Sequence, residues 1–179
     1  MMTLTFAFWM FVVLFAIIGA MRGWAKELLV TFSVVLGLFI LSVLERYFPP
    51  VRDFLAPPNS STEFWARTIV IIFLVFFGYQ TPNLQRIAGA RFARERLSDT
   101  LLGFVLGGMN GFLVVGTLWY FMEQSGYPFP KYITPPDPNN PLSASALRLI
   151  PYLAPRWLGI PTIYFAIAVA FLFIIVVFI

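Results

Sequence analysis

Residues 158–179, LGIPTIYFAIAVAFLFIIVVFI, contain no charged side chain, and neither do residues 4–21 or 100–122. A run of about 20 apolar residues is what a helix needs to cross a hydrocarbon layer of about 30 Å. Inside that layer no water satisfies a peptide group, so a spanning segment must bond to itself as a helix or close into a barrel. The runs here are continuous rather than alternating, which selects helices. Composition agrees: the 179 residues are 60% hydrophobic and 11% charged, whereas soluble domains are roughly half apolar and a quarter charged. The sequence therefore predicts an all-α, polytopic integral membrane protein, with about five transmembrane helices and short interfacial helices.

The expected spans are 4–21, 27–44, 65–79 (extended by Phe64 and Gln80), 99–122 and 158–179. The first is not a signal peptide, because its first charge, Arg22, follows the apolar run instead of preceding it. Three parts result: a four-span core over 1–125, a Pro-rich extramembrane cover with an interfacial helix over 126–157, and a fifth transmembrane helix over 158–179. Between spans 2 and 3, the Pro-Pro pairs of ERYFPPVRDFLAPPNSSTEF are expected to stop helices. In residues 81–98, Leu84, Ile87, Ala88, Phe92 and Ala93 recur at helical spacing between Arg86, Arg91, Arg94 and Arg96. That pattern predicts an amphipathic helix in the headgroup layer, its arginines reaching lipid phosphates. Ser98 is the expected N-cap of span 4, with Asp99 complementing its dipole. LSASALRLIPYLAPRWL reads as an interfacial helix broken at Pro151 and Pro155. The loops after spans 1 and 3 are short, basic and poorer in acids, so they are expected in the cytoplasm, with the N-terminus outside and the C-terminus inside.

In LGFVLGGMNGFLVVG, Gly103, Gly107 and Gly111 recur every fourth residue. Helices in a bilayer associate by close packing, and small residues at this spacing let two backbones approach. The stripe is therefore expected to be a helix–helix seam, widened by Gly108 and extended by Gly116. Its partner is either another span of this chain or another protein. Asn110 lies beside it, able to bond across helices or to mark a functional site. IIGAMRGW (17–24) resembles VLGGMNGF (105–112), as an inverted repeat would if spans 1 and 4 cross in opposite directions. Leu38 of span 2 is expected to face lipid.

The turn holding Arg22, Gly23, Lys26 and Glu27 reads either as an interfacial anchor or as a docking or ion-pair site. In the second reading Glu27 reaches Arg22 or an arginine of 86–96. The five tryptophans, Trp9, Trp24, Trp65, Trp119 and Trp157, suit an aromatic belt or the core. With no cysteine and no histidine, disulfides, thiolate sites and histidine-ligated zinc or haem are excluded within this chain. No catalytic residue, metal site or cofactor is expected, since the acids fall near loops and no charge lies at mid-bilayer. The net charge of +4 is small, and the dominance of arginine among the basic residues suits anionic lipid better than nucleic acid.

GAMRGWAKELL (19–29) followed by DTLLGFVLGGMNGFLVVG (99–116) resembles the colicin V production protein family of small bacterial inner-membrane proteins. The resemblance rests on Arg22, Gly23, Lys26, Glu27, Asp99, Leu102, Gly103, Gly107 and Gly111, with a weaker echo in PLSASALRLIPYLAP. It implies a role in colicin V export or envelope function and carries over no catalytic residue. Two departures stand out: the family usually has a basic residue where Asn110 stands, and it usually stops after four spans. Two roles follow. One is a stand-alone family member acting through helix packing and partner binding. The other is an accessory subunit of a larger respiratory or photosynthetic complex. The expected partners are the lipid bilayer and other membrane proteins, with lipid or quinone contact left open.

Overall fold

The computed structural model describes residues 3–55, 61–80, 96–140 and 143–178. Helix α1 (Leu4–Arg22) opens on Thr3, whose hydroxyl accepts the Phe6 N–H at 3.2 Å. It closes on Gly23, which has φ +87° and donates its N–H to the Gly19 carbonyl at 2.9 Å. Helix α2 (Trp24–Tyr47) starts at the very next residue, so the turn between the first two spans is this single glycine. It stops where Phe48, preceding a proline, takes an extended conformation (φ −118°, ψ 94°).

The prolines stop α2 but also begin a helix, α3 (Pro49–Leu55), which the sequence reading did not include. A proline tolerates the first turn because the N–H it lacks would have no partner there. Helix α4 (Ser61–Tyr79) begins four residues before the expected span and so takes Glu63 into the same spanning helix as Arg67. Helix α5 (Arg96–Gln124) also begins early, so Ser98 lies inside the helix and is not its N-cap. The expected 81–98 amphipathic helix, with Arg86, Arg91 and Arg94, falls mostly outside the described residues; Arg96 is the first residue of α5.

The far end of α5 closes in a Schellman turn. Gly126 (φ +66°) donates to the Glu123 carbonyl and Tyr127 to the Met122 carbonyl at 2.9 Å. This turn carries Tyr127 back under the helix, where the Trp119 indole N–H donates to its hydroxyl at 3.2 Å. Burial pushes the Tyr127 hydroxyl above its ordinary range, opposed by that indole donor and assisted by Glu123. The interfacial segment is broken as expected into α6 (Ala144–Leu149), a 3-10 turn (Ile150–Tyr152) and α7 (Ala154–Trp157), with Pro151 and Pro155 each in the first turn of the next piece.

Helix α8 (Thr162–Phe178) starts after Pro161 and has 17 residues, fewer than the expected 158–179. Helices α1, α2, α4 and α5 are each long and apolar enough to cross a membrane; α8 is shorter. It lies against α2, with Phe171 edge-on to Phe32, Tyr164 edge-on to Phe39, and the Tyr47 and Tyr164 hydroxyls 3.3 Å apart.

One core joins α2, α4, α5 and α8, around Val30, Val34, Ile71 and Ile163. Leu38 is part of it, only 5% exposed, and does not face lipid as expected: α4 and α8 both pack on α2 and close off that side. A second core joins α1, the end of α5 and the cover, around Phe8, Trp119, Tyr127 and Leu153. Trp119 thus belongs to the core, whereas Trp9, Trp65 and Trp157 are about half exposed near helix ends, as a belt requires.

Candidate functional site

The glycine stripe of α5 faces α1, and the two helices run antiparallel. Gly103 lies on Gly19 and Gly23, Gly107 on Gly19 and Phe15, and Gly111 on Phe15 and Val12. A Cβ on Gly107 would fall 2.8 Å from the Gly19 Cα, and one on Gly111 would fall 3.0 Å from the Val12 Cα. Both distances are below any comfortable carbon–carbon contact, so the seam exists only with glycine there. The partner is a helix of this chain, led by Gly19. Two of the expected seam residues are less critical. A Cβ on Gly108 would meet Ala16 at 3.5 Å, and one on Gly116 would meet Leu153 at 3.4 Å. Both are at or near ordinary contact with side chains, not backbone.

Close approach of α1 and α5 brings a polar cluster together at the mouth of α2. Arg22 Nη1 donates to Glu27 Oε1 at 2.5 Å, and Glu27 is fully buried. Asn110 Nδ2 donates to Glu27 Oε2 and to the Glu27 carbonyl, both at 2.8 Å. The Thr31 hydroxyl donates to Asn110 Oδ1 at 2.6 Å. Arg22 also donates to the Tyr79 carbonyl at 3.1 Å, its guanidinium 4.2 Å from the centre of the Tyr79 ring. Of the two readings of the charged turn, the structure has the ion pair, and Glu27 reaches Arg22. Lys26 is partly exposed and makes none of these bonds.

Asn110 is the fifteenth of the 29 residues of α5. The carboxylate it binds is therefore held about half-way along that helix, although Glu27 is near a turn in the sequence. Glu27 is itself the fourth residue of α2, close to the turn, and Asn110 reaches both its carboxylate and its backbone carbonyl from the middle of α5. Ion pairing alone rarely repays the desolvation of a buried pair, and added hydrogen bonds decide whether it holds. Here both carboxylate oxygens and both ends of the Asn110 amide are bonded. Arg22 and Asn110, which occupy equivalent positions of the two similar octapeptides, hold one oxygen each.

Asp99 completes the cluster from the start of α5. Its Oδ1 accepts the Trp24 N–H at 3.0 Å, so it caps α2 from another helix. No side chain near Gly23 in sequence does this. Asp99 was expected to serve its own helix instead.

A second ionic group, unnoticed in the sequence, lies at the opposite end of the bundle. Arg67 Nε donates to Glu45 at 2.8 Å and Nη1 to Glu63, while Arg156 donates to Glu123 at 3.1 Å. The i,i+4 spacing of Glu63 and Arg67 was the available signal. The expected span, starting at Trp65, leaves Glu63 outside the helix, whereas α4 includes it. Among the described residues no group of acids could hold a metal ion.

Four spanning helices, a backbone-close seam and a charge pair sealed inside it define a polytopic helical membrane protein. Residues 4–135 match the family model of the colicin V production protein, and the chain belongs to that family. The match covers all four long helices and stops before α6, α7 and α8. No curated protein and no solved structure matches the chain.

Proposed function

We infer that this protein acts without catalysis in the bacterial inner membrane, holding its helices as a rigid unit that binds other membrane proteins in colicin V export or envelope function. The observation that supports this reading is the mutual satisfaction of the polar groups at the seam. Glu27, Asn110, Thr31 and Arg22 are bonded to one another, so the cluster fixes helices and offers no free nucleophile or base. By the charge rule, the end bearing Arg22 and Lys26 is cytoplasmic.

Purification in mild detergent tests the reading. Wild-type protein should bring down envelope proteins in fixed ratio, and Gly107→Leu should lose them. A chain that purifies alone with either sequence would defeat it. The accessory-subunit alternative is favoured by α8, which lies outside the family match and turns Phe165, Val169, Leu172 and Val176 outward. Deleting residues 158–179 should then release the chain from a respiratory or photosynthetic complex while the four long helices stay inserted.

A further inference from the structure

At the end of the bundle opposite the Arg22–Glu27 cluster, an open groove of about 520 Å³ lies between the start of α1 and the α6–3-10 segment. Trp9 and Tyr152 flank it, 48% and 69% exposed. Between them the Ser145 hydroxyl donates to Thr5 Oγ1 at 3.0 Å. Arg148 also lines the groove and is exposed. Among the described residues Arg148 has no carboxylate partner, whereas Arg22, Arg67 and Arg156 each have one. No acid lines the groove.

The groove is also open toward the bilayer. Trp9, Val13 and Ile17 follow one another at four-residue spacing along α1, so they form one stripe, and all three are about half exposed. An unpaired guanidinium recognises a phosphate by charge-assisted, fork-like hydrogen bonds. Tryptophan and tyrosine settle at headgroup depth. A soluble phosphate would use the cation and ignore the stripe; a phospholipid uses both.

The geometry points to a binding site for an anionic phospholipid. Arg148 pairs with the phosphate, the Thr5 hydroxyl donates to a further phosphate oxygen, Trp9 and Tyr152 enclose the headgroup, and one acyl chain lies along Trp9, Val13 and Ile17. This site lies at the end of the bundle opposite Arg22 and Glu27.

The test is thermal unfolding of delipidated full-length protein in detergent, titrated with phosphatidylglycerol, phosphatidylcholine or inorganic phosphate. Phosphatidylglycerol should raise the wild-type midpoint, with half-saturation at a concentration at least tenfold lower than for phosphatidylcholine. Arg148→Gln should weaken that response at least tenfold, and Arg148→Lys should restore part of it. Arg52→Gln, at an exposed arginine of α3 on the same end of the bundle, should leave it unchanged. Equal responses of wild type and Arg148→Gln would overturn the site. So would equal loss in Arg52→Gln, equal response to phosphatidylcholine, or full reproduction of the effect by inorganic phosphate.

Discussion

A leucine at position 107 would have to push α1 away from α5, because the atoms it meets are backbone and cannot swing aside. Overpacking of this kind costs about 1–3 kcal/mol. Val105, on the same helix and 64% exposed, should accept alanine within about 0.5 kcal/mol. Thermal unfolding in detergent should therefore separate Gly107→Leu clearly from Val105→Ala, and equal small shifts would remove the seam. Glu27 offers a second contrast. Glu27→Ala strands Arg22 and Asn110 and should cost about 3 kcal/mol or more, since breaking a buried pair leaves an uncompensated charge. The double variant Arg22→Met/Glu27→Leu should recover much of that stability in the same measurement; a double variant as unstable as the single one would refute the pairing. The glycine stripe was legible because repetition at four residues is a pattern within one helix. Gly19 was not, since a lone glycine carries no period, and nothing in one sequence says which faces of two helices meet.

The joint between α1 and α2 shows how elements depend on one another. Gly23 has φ +87°, and a Cβ there would press on the Asp99 carboxylate at 2.7 Å. Gly23→Ala meets backbone strain and a clash together, whereas Asp99→Ala removes only the cap of α2. Losing an N-cap costs about 1 kcal/mol, so Asp99→Ala should lower the unfolding midpoint modestly, Asp99→Asn less, and Gly23→Ala more than either. Indistinguishable midpoints for the three would mean that Asp99 caps nothing. Helix positions were readable from apolar runs, but helix starts were not. Glu63 reads as loop in the sequence because the partner that neutralises it, Arg67, is visible only once the helix is extended to include both. Pro49 ends α2 and equally starts α3, and a proline in the sequence signals the stop more plainly than the start.

On the scale of the whole molecule, the sequence carried the four long helices and their order, and the antiparallel octapeptides hinted at how α1 and α5 meet. It overstated the last helix, because the apolar run from Leu158 continues across Pro161, and the helix begins only after that proline. The chain contains no cysteine, which makes its topology directly measurable. Leu97→Cys and Tyr132→Cys, at residues 80% and 81% exposed, the first at the start of α5 and the second past its end, should react with an impermeant thiol reagent from opposite sides of the membrane. Reaction of both from one side would rule out the arrangement.

The Glu27 cluster also orders events during synthesis. Arg22 lies five residues before Glu27, so the acid has its counter-ion as soon as α2 is made. Asn110, which binds the other oxygen, comes 83 residues later. At about 5–20 residues per second, the ribosome needs roughly 4–17 s to supply it. For that interval the first hairpin sits in the membrane with a half-satisfied carboxylate and an open glycine face. The arrival of α5 closes both at once, so the last long helix acts as the latch of the first two.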